Sequence, residues 1–143
     1  MGSEPKAEDI DYTALAELRH QIRKFLTFSE QEARAVGLEP QQHQLLLAVK
    51  GLPESERPTV STLAERLRVR HHTVVGLVDR LVAAKLAARR PSKADRREIL
   101  VQLTPRGERI LRELSLLHHA ELETAAPALV TALESIIGGT KRK

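Results

Sequence analysis

The apolar positions of the chain change period along its length, and each change marks an element. Leu15, Leu18, Ile22, Phe25 and Leu26 keep a three-four spacing that predicts a first helix, capped by Asp9 or Asp11 and suited to a partner helix. Ser29 is expected to restart a short helical stretch that ends at Gly37. Pro40, a residue favoured at the first helical position, opens a second helix with Leu45, Leu46, Leu47 and Val49, and Gly51 stops it. The prolines and charges of LPESERP predict a loop. Leu63, Ala64 and Leu67 then give the buried side of a short helix. Ser61 or Thr62 is its expected cap, and Thr62 with Glu65 has capping-box spacing. Val69 and Arg70 leave room only for a turn before the most regular stripe of the chain. Val74, Leu77, Val78, Leu81 and Val82 fall at i, i+3, i+4, i+7 and i+8 between His71 and Ala84.

Beyond this stripe the period drops to two. Ile99, Val101 and Leu103 alternate with Glu98, Leu100 and Gln102, the pattern of a half-buried strand, and Leu86 to Arg90 can pair with it as the first arm of a hairpin. Thr104 caps and Pro105 opens a long helix with Ile110, Leu111, Leu114, Leu117 and Leu122 on its apolar side. Pro127 is expected to break or kink it. Leu129, Val130, Leu133, Ile136 and Ile137 would form a last helix before Gly138-Gly139. The expected fold is therefore mainly α with a small β-wing: a single domain over 1–143, with a winged helix-turn-helix core at 40–104. The flanking helices, 8–36 and 105–138, carry more apolar surface than so small a core can cover. They are expected to bury it against a second copy, giving a two-fold homodimer. Residues 1–7 and 139–143 are expected to be disordered.

Charge sharpens the picture. The 143 residues carry a net +4, but residues 59–107 hold 11 Lys and Arg against 4 Asp and Glu, whereas the remainder is net negative. Positive charge concentrated on a helix-turn-helix and wing is the footprint of a polyanion binder, here double-stranded DNA. The absence of cysteine excludes disulfides, cysteine-ligated zinc and a thiol switch. No apolar run approaches the ~20 residues that span a bilayer and no signal segment opens the chain, so no membrane partner is expected and the cytoplasm is the expected compartment. No nucleophile elbow, phosphate loop or paired-carboxylate pattern appears, so no enzyme activity and no cofactor are expected.

The amino-terminal half of a recognition helix reaches base edges. That half offers His71, His72, Thr73, Val75 and Gly76, where His and Thr can hydrogen-bond bases and Val can meet the thymine methyl. Arg70 and Arg80 are cast as phosphate clamps, and Ser61 and Thr62 at the preceding helix start join the candidate DNA contacts. The hairpin loop RRPSKADRR projects as a basic finger, with Arg90 and Lys93 as further phosphate contacts.

The segments STLAERLRV, HHTVVGLVDRL, KLAAR and DRREILVQLTPRG together resemble the MarR-type (multiple antibiotic resistance) regulators, with Asp95-Arg96-Arg97 and LTPRG the most specific elements. The resemblance covers nearly the whole chain. It implies a winged-helix transcription factor that acts as a homodimer to repress or activate genes, repression being the expectation, and often answers to a small molecule; the dimer in turn predicts a pseudo-palindromic operator. It assigns Asp95 the orientation of the wing loop and Arg97 entry into the minor groove, with Arg96 able to exchange roles with Arg97. Gly76 departs from the family, where a longer polar side chain is common. Either one base goes unread or the backbone approaches DNA closely. In similar regulators small aromatic or anionic effectors bind between the dimer helices and the winged core, which makes Tyr12, His20, Arg23, Phe28 and His43 the candidates here.

Two other classes stay open. One is a zinc-responsive regulator using histidine and carboxylate ligands. His71-His72 and His118-His119 are adjacent pairs that point apart on a helix, though, and His20 and His43 stand alone, so no metal site is assigned. The other is a winged-helix scaffold that binds only protein, which Gly76 favours and the basic wing opposes.

Overall fold

The computed structural model describes residues 6–141, with side chains through residue 138. The disorder expected of residues 1–5, 142 and 143 lies outside this range. A one-turn 3-10 helix at Ala7–Asp9 is followed by α1 (Tyr12–Ala35), α2 (Pro40–Lys50), α3 (Val60–Leu67) and α4 (His71–Ala83). The strands β1 (Ala87–Pro91) and β2 (Ile99–Leu103) follow, and then α5 (Pro105–Lys141). Ala7 and residues 139–141, expected to be disordered, thus belong to helical elements. The chain divides into two compact units: Glu32–Ser115, and Met1–Gln31 with Leu116–Lys143.

The unit Glu32–Ser115 carries the core. Leu45, Leu46, Leu63, Val74, Leu77, Val78, Leu81 and Leu114 are its largest fully buried side chains. Leu47, expected among them, is instead exposed. Local chemistry sets the helix ends. Gly37 takes φ +86°, and Leu38 N–H reaches the Ala33 carbonyl at 2.9 Å while Gly37 N–H reaches Arg34 at 3.0 Å, the left-handed C-cap that closes α1. A Glu39–Gln42 capping box starts α2, with Pro40 in its first turn. The cap of α3 is Thr59, whose Oγ1 accepts from Thr62 N–H at 3.1 Å; the expected caps Ser61 and Thr62 are already helical. The Thr62 hydroxyl accepts from Thr59 Oγ1 at 3.1 Å, so no Thr62–Glu65 box is needed.

β1 and β2 pair antiparallel, from Ala87 opposite Leu103 to Pro91 opposite Ile99. Val101 and Leu103 are buried as the alternation predicts, but Ile99 is exposed because it sits at the tip-side end of the hairpin opposite the exposed Pro91. Thr104 opens α5 as expected, its hydroxyl accepting from Gly107 N–H at 3.1 Å. The same residue locks that turn to the start of the wing: its N–H donates to Leu86 O at 3.1 Å and its hydroxyl to Lys85 O at 2.7 Å. A Cβ on Gly107 would lie 2.0 Å from the Leu86 oxygen, so only glycine permits this approach.

α1 and α5, most of whose residues lie in the other unit, are each continuous where the sequence pattern suggested breaks. Ser29 does not restart a helix, because its hydroxyl is engaged sideways by His118 Nε2 at 2.7 Å. His118 also meets Phe25 and Phe28 edge-on, at centroid distances of 5.7 and 5.4 Å. Pro127 stands inside α5. It removes one helical N–H, and with Glu123 and Pro127 both exposed, water can serve the carbonyl left over. Ser135 Oγ donates to Asp11 Oδ2 at 2.5 Å, while Asp11 Oδ1 caps α1 through Ala14 N–H at 2.9 Å.

Candidate nucleic-acid interface

The outer face of α4 begins at Arg70, whose side chain makes no cap bond to the helix, so no side chain occupies the first-turn N–H groups. His71 and His72 are exposed, Thr73, Val75 and Gly76 half-buried, and Arg70 and Arg80 exposed at either end of this face. The inner stripe Val74, Leu77, Val78 and Leu81 is buried, so packing fixes which face is free. A Cβ at Gly76 would meet only Arg80 Nη2, at 3.9 Å. The free protein therefore has no steric need for glycine there. Ser61 is exposed and Thr62 half-buried in the first turn of α3.

The wing loop is held by its own short bonds. Ser92, buried despite its place in a charged loop, donates its N–H to Glu98 O at 2.7 Å and accepts from Ala94 N–H at 3.2 Å. Asp95 Oδ1 accepts from Arg97 N–H at 3.0 Å and from Arg97 Nε at 3.3 Å. The Arg97 side chain is nevertheless 92% exposed, held through its backbone N–H and the Nε of its guanidinium. Arg90, Lys93 and Arg96 are exposed around it.

Two contacts not anticipated from the sequence join these pieces. Asp79 on α4 pairs with Arg89 on β1, tying the recognition helix to the wing. Glu98 lies 3.1 Å from Arg57, in the loop before α3. Neither has a local sequence signal, since each partner is set by the fold.

The effector candidates are not gathered into one place. His20, Arg23 and Phe28 line a shallow concavity of about 360 Å³ along α1 with Lys24, Thr27 and Gln31. Tyr12, at the start of α1, is outside this lining and exposed. His43 is buried in α2 in the unit that holds the core. Among the described residues no group of three His, Asp or Glu side chains comes together as a metal would require, so the zinc alternative has no ligand set among them. No helix there is long and apolar enough to cross a membrane.

The family's sequence model matches residues 36–98, which span α2 through the wing loop. Over these residues the winged helix-turn-helix is similar to that of the MarR family. Solved structures extend the likeness across most of the chain. AbsC, a MarR family transcriptional regulator from Streptomyces coelicolor, is 20% identical over 92% of this chain and 90% of its own, with a TM-score of 0.68. A mutant of S. aureus MepR bound to an oligodeoxyribonucleotide is 19% identical over 82% of this chain and 83% of its own, with a TM-score of 0.64. CouR from Rhodococcus jostii bound to p-coumaroyl-CoA is 21% identical over 83% and 87%, with a TM-score of 0.65. No curated protein matches the chain in sequence. The chain thus has the fold of MarR family transcription regulators, a family of DNA-binding proteins.

Proposed function

We propose that this MarR-family chain is a sequence-specific DNA-binding repressor, working in the cytoplasm as a two-fold dimer on a pseudo-palindromic operator. The observation that carries the reading is the pairing of two free reading devices on one packed unit. The outer face of α4 has no side-chain cap over its first-turn N–H groups, and Arg97 is anchored by Asp95 yet almost wholly exposed. A helix start without a side-chain cap suits a phosphate, which seats the amino-terminal half of α4 in the major groove. There His71, His72, Thr73 and Val75 meet base edges, and Gly76 leaves the base beneath it unread. Arg97 enters the adjacent minor groove, Arg96 remains beside it, and Arg70, Arg80, Arg90 and Lys93 hold phosphates, with Ser61 and Thr62 at the flank. The oligodeoxyribonucleotide bound to the MepR mutant supports DNA as the partner.

The dimer reading rests on exposed apolar side chains along the terminal helices, among them Ile22, Leu26, Leu117 and Leu133. Spacing the two α4 helices one DNA turn apart, roughly 34–36 Å, makes the operator two-fold. An anionic aromatic effector fits the concavity of His20, Arg23 and Phe28, where two basic side chains flank a ring. CouR bound to p-coumaroyl-CoA supports that ligand class.

The test is binding of Thr73→Ala and Arg97→Ala to an operator panel with single base changes and altered flanks. Thr73→Ala is expected to relax preference at particular positions, costing about 1–3 kcal/mol on the best site. Arg97→Ala is expected to weaken all sequences together, sparing only selectivity for A·T-rich flanks. The division of labour is wrong if Arg97→Ala alters preference at central half-site bases while Thr73→Ala leaves the panel untouched.

A further inference from the structure

The sequence places the basic surface between residues 59 and 107, and Arg57 lies outside it in a loop that reads as mere connection. The fold carries it elsewhere. Val101 N–H donates to Pro58 O at 2.9 Å, so this loop runs along the edge of β2 that faces away from β1. The contact brings Arg57 into a cleft of about 490 Å³ whose rim also holds Arg90 and Lys93. Pro58, Leu100 and Val101 also line it. Three cations from two separate segments therefore converge at one cleft, where their like charges together favour an anion.

Among the described residues Arg57 is paired with the acid Glu98. The ion pair is 3.1 Å long but lacks hydrogen-bond geometry, because Glu98 Oε1 has no hydrogen-bond partner. The guanidinium offsets the carboxylate's charge while its N–H donors stay uncommitted to that oxygen. Its side chain is 54% exposed, against 25% for Glu98. A strand of DNA brought to Arg90 and Lys93 would thus meet Arg57's donors before it met the carboxylate. We propose that Arg57 is a further phosphate-binding residue, completing with Arg90 and Lys93 a backbone clamp on the side of the wing. The assignment rests on the DNA reading given above and adds a contact that reading does not contain.

The experiment measures affinity of the full chain for one duplex over a series of salt concentrations. It compares wild type with Arg57→Ala, Arg57→Lys, Glu98→Gln and the Arg57→Ala/Glu98→Gln double variant. Loss of one phosphate contact per subunit should make the slope of log affinity against log salt shallower by about 0.9 for each subunit. Arg57→Ala is expected to show that change with about tenfold weaker binding, equal across sequences. Arg57→Lys should keep the wild-type slope, Glu98→Gln should keep both slope and affinity, and the double variant should be as shallow as Arg57→Ala. An unchanged slope in Arg57→Ala overturns the proposal, as does a Glu98→Gln loss equal to that of Arg57→Ala, which would mean the pair only braces the wing. A flat salt response in wild type overturns the DNA reading itself, and this assignment with it; a steep wild-type slope that Arg57→Ala leaves intact overturns the assignment alone.

Discussion

The two units of the chain solve burial in opposite ways. All eight of the largest fully buried side chains lie within Glu32–Ser115. Of the twelve large hydrophobic residues exposed among the described residues, ten lie in the terminal segments, and two, Leu47 and Ile99, belong to the winged unit. One unit closes its own core; the other has helices but leaves apolar stripes on their outside. The winged unit thus buries its own core, whereas the terminal helices leave an apolar stripe that a partner would have to cover. The homodimer proposed above follows from that imbalance more directly than from any single residue.

The comparison breaks most sharply if the exposed stripe is charged. Ile22→Asp with Leu133→Asp changes two side chains that are 42% and 45% exposed in one chain, so the single-chain fold should tolerate them. In a dimer the new carboxylates would be buried unpaired. Association should weaken by about 10³-fold or more, since an unpaired buried charge costs several kcal/mol. Sedimentation should then show a monomer whose helical signal is retained. A dimer of unchanged strength would show that the stripe is not the interface.

A smaller effect, confined to the other unit, sharpens the same contrast. Gly107→Ala sets a Cβ against the Leu86 oxygen and should pry the first turn of α5 from the wing start, costing about 3 kcal/mol. Thermal unfolding should fall while sedimentation still reports a dimer. Loss of the dimer without loss of stability would contradict the independence of the two units.

The winged unit was the more legible in sequence, for a physical reason. The stripe from Val74 to Val82 and the alternation of Val101 and Leu103 are local periods, and local periods follow from backbone geometry alone. What sequence missed was decided by distant partners. Ser29 does not break α1 because His118, 89 positions away, takes its hydroxyl. Arg57 lies in a segment that reads only as a loop, and the hydrogen bond from Val101 to Pro58 is what carries it to the wing. The cap of α3 fell on Thr59 rather than Thr62 because three neighbouring hydroxyl residues are equally plausible by composition, and only backbone angles choose among them. The role of Asp95 came from family likeness, and the structure supplies its geometry: one carboxylate oxygen taking both the N–H and the Nε of Arg97.

In the proposed complex the arginines and lysines flanking α4 and on the wing form a cationic surface that meets the DNA backbone. The most direct measurement is the affinity of the wild-type chain for fragments selected from genomic DNA, followed as salt is raised. With about 6–10 phosphates neutralised, affinity should fall by about 10³–10⁵ between roughly 50 and 200 mM salt. Affinity that stays flat over that range, or no selected fragment at all, would contradict the account.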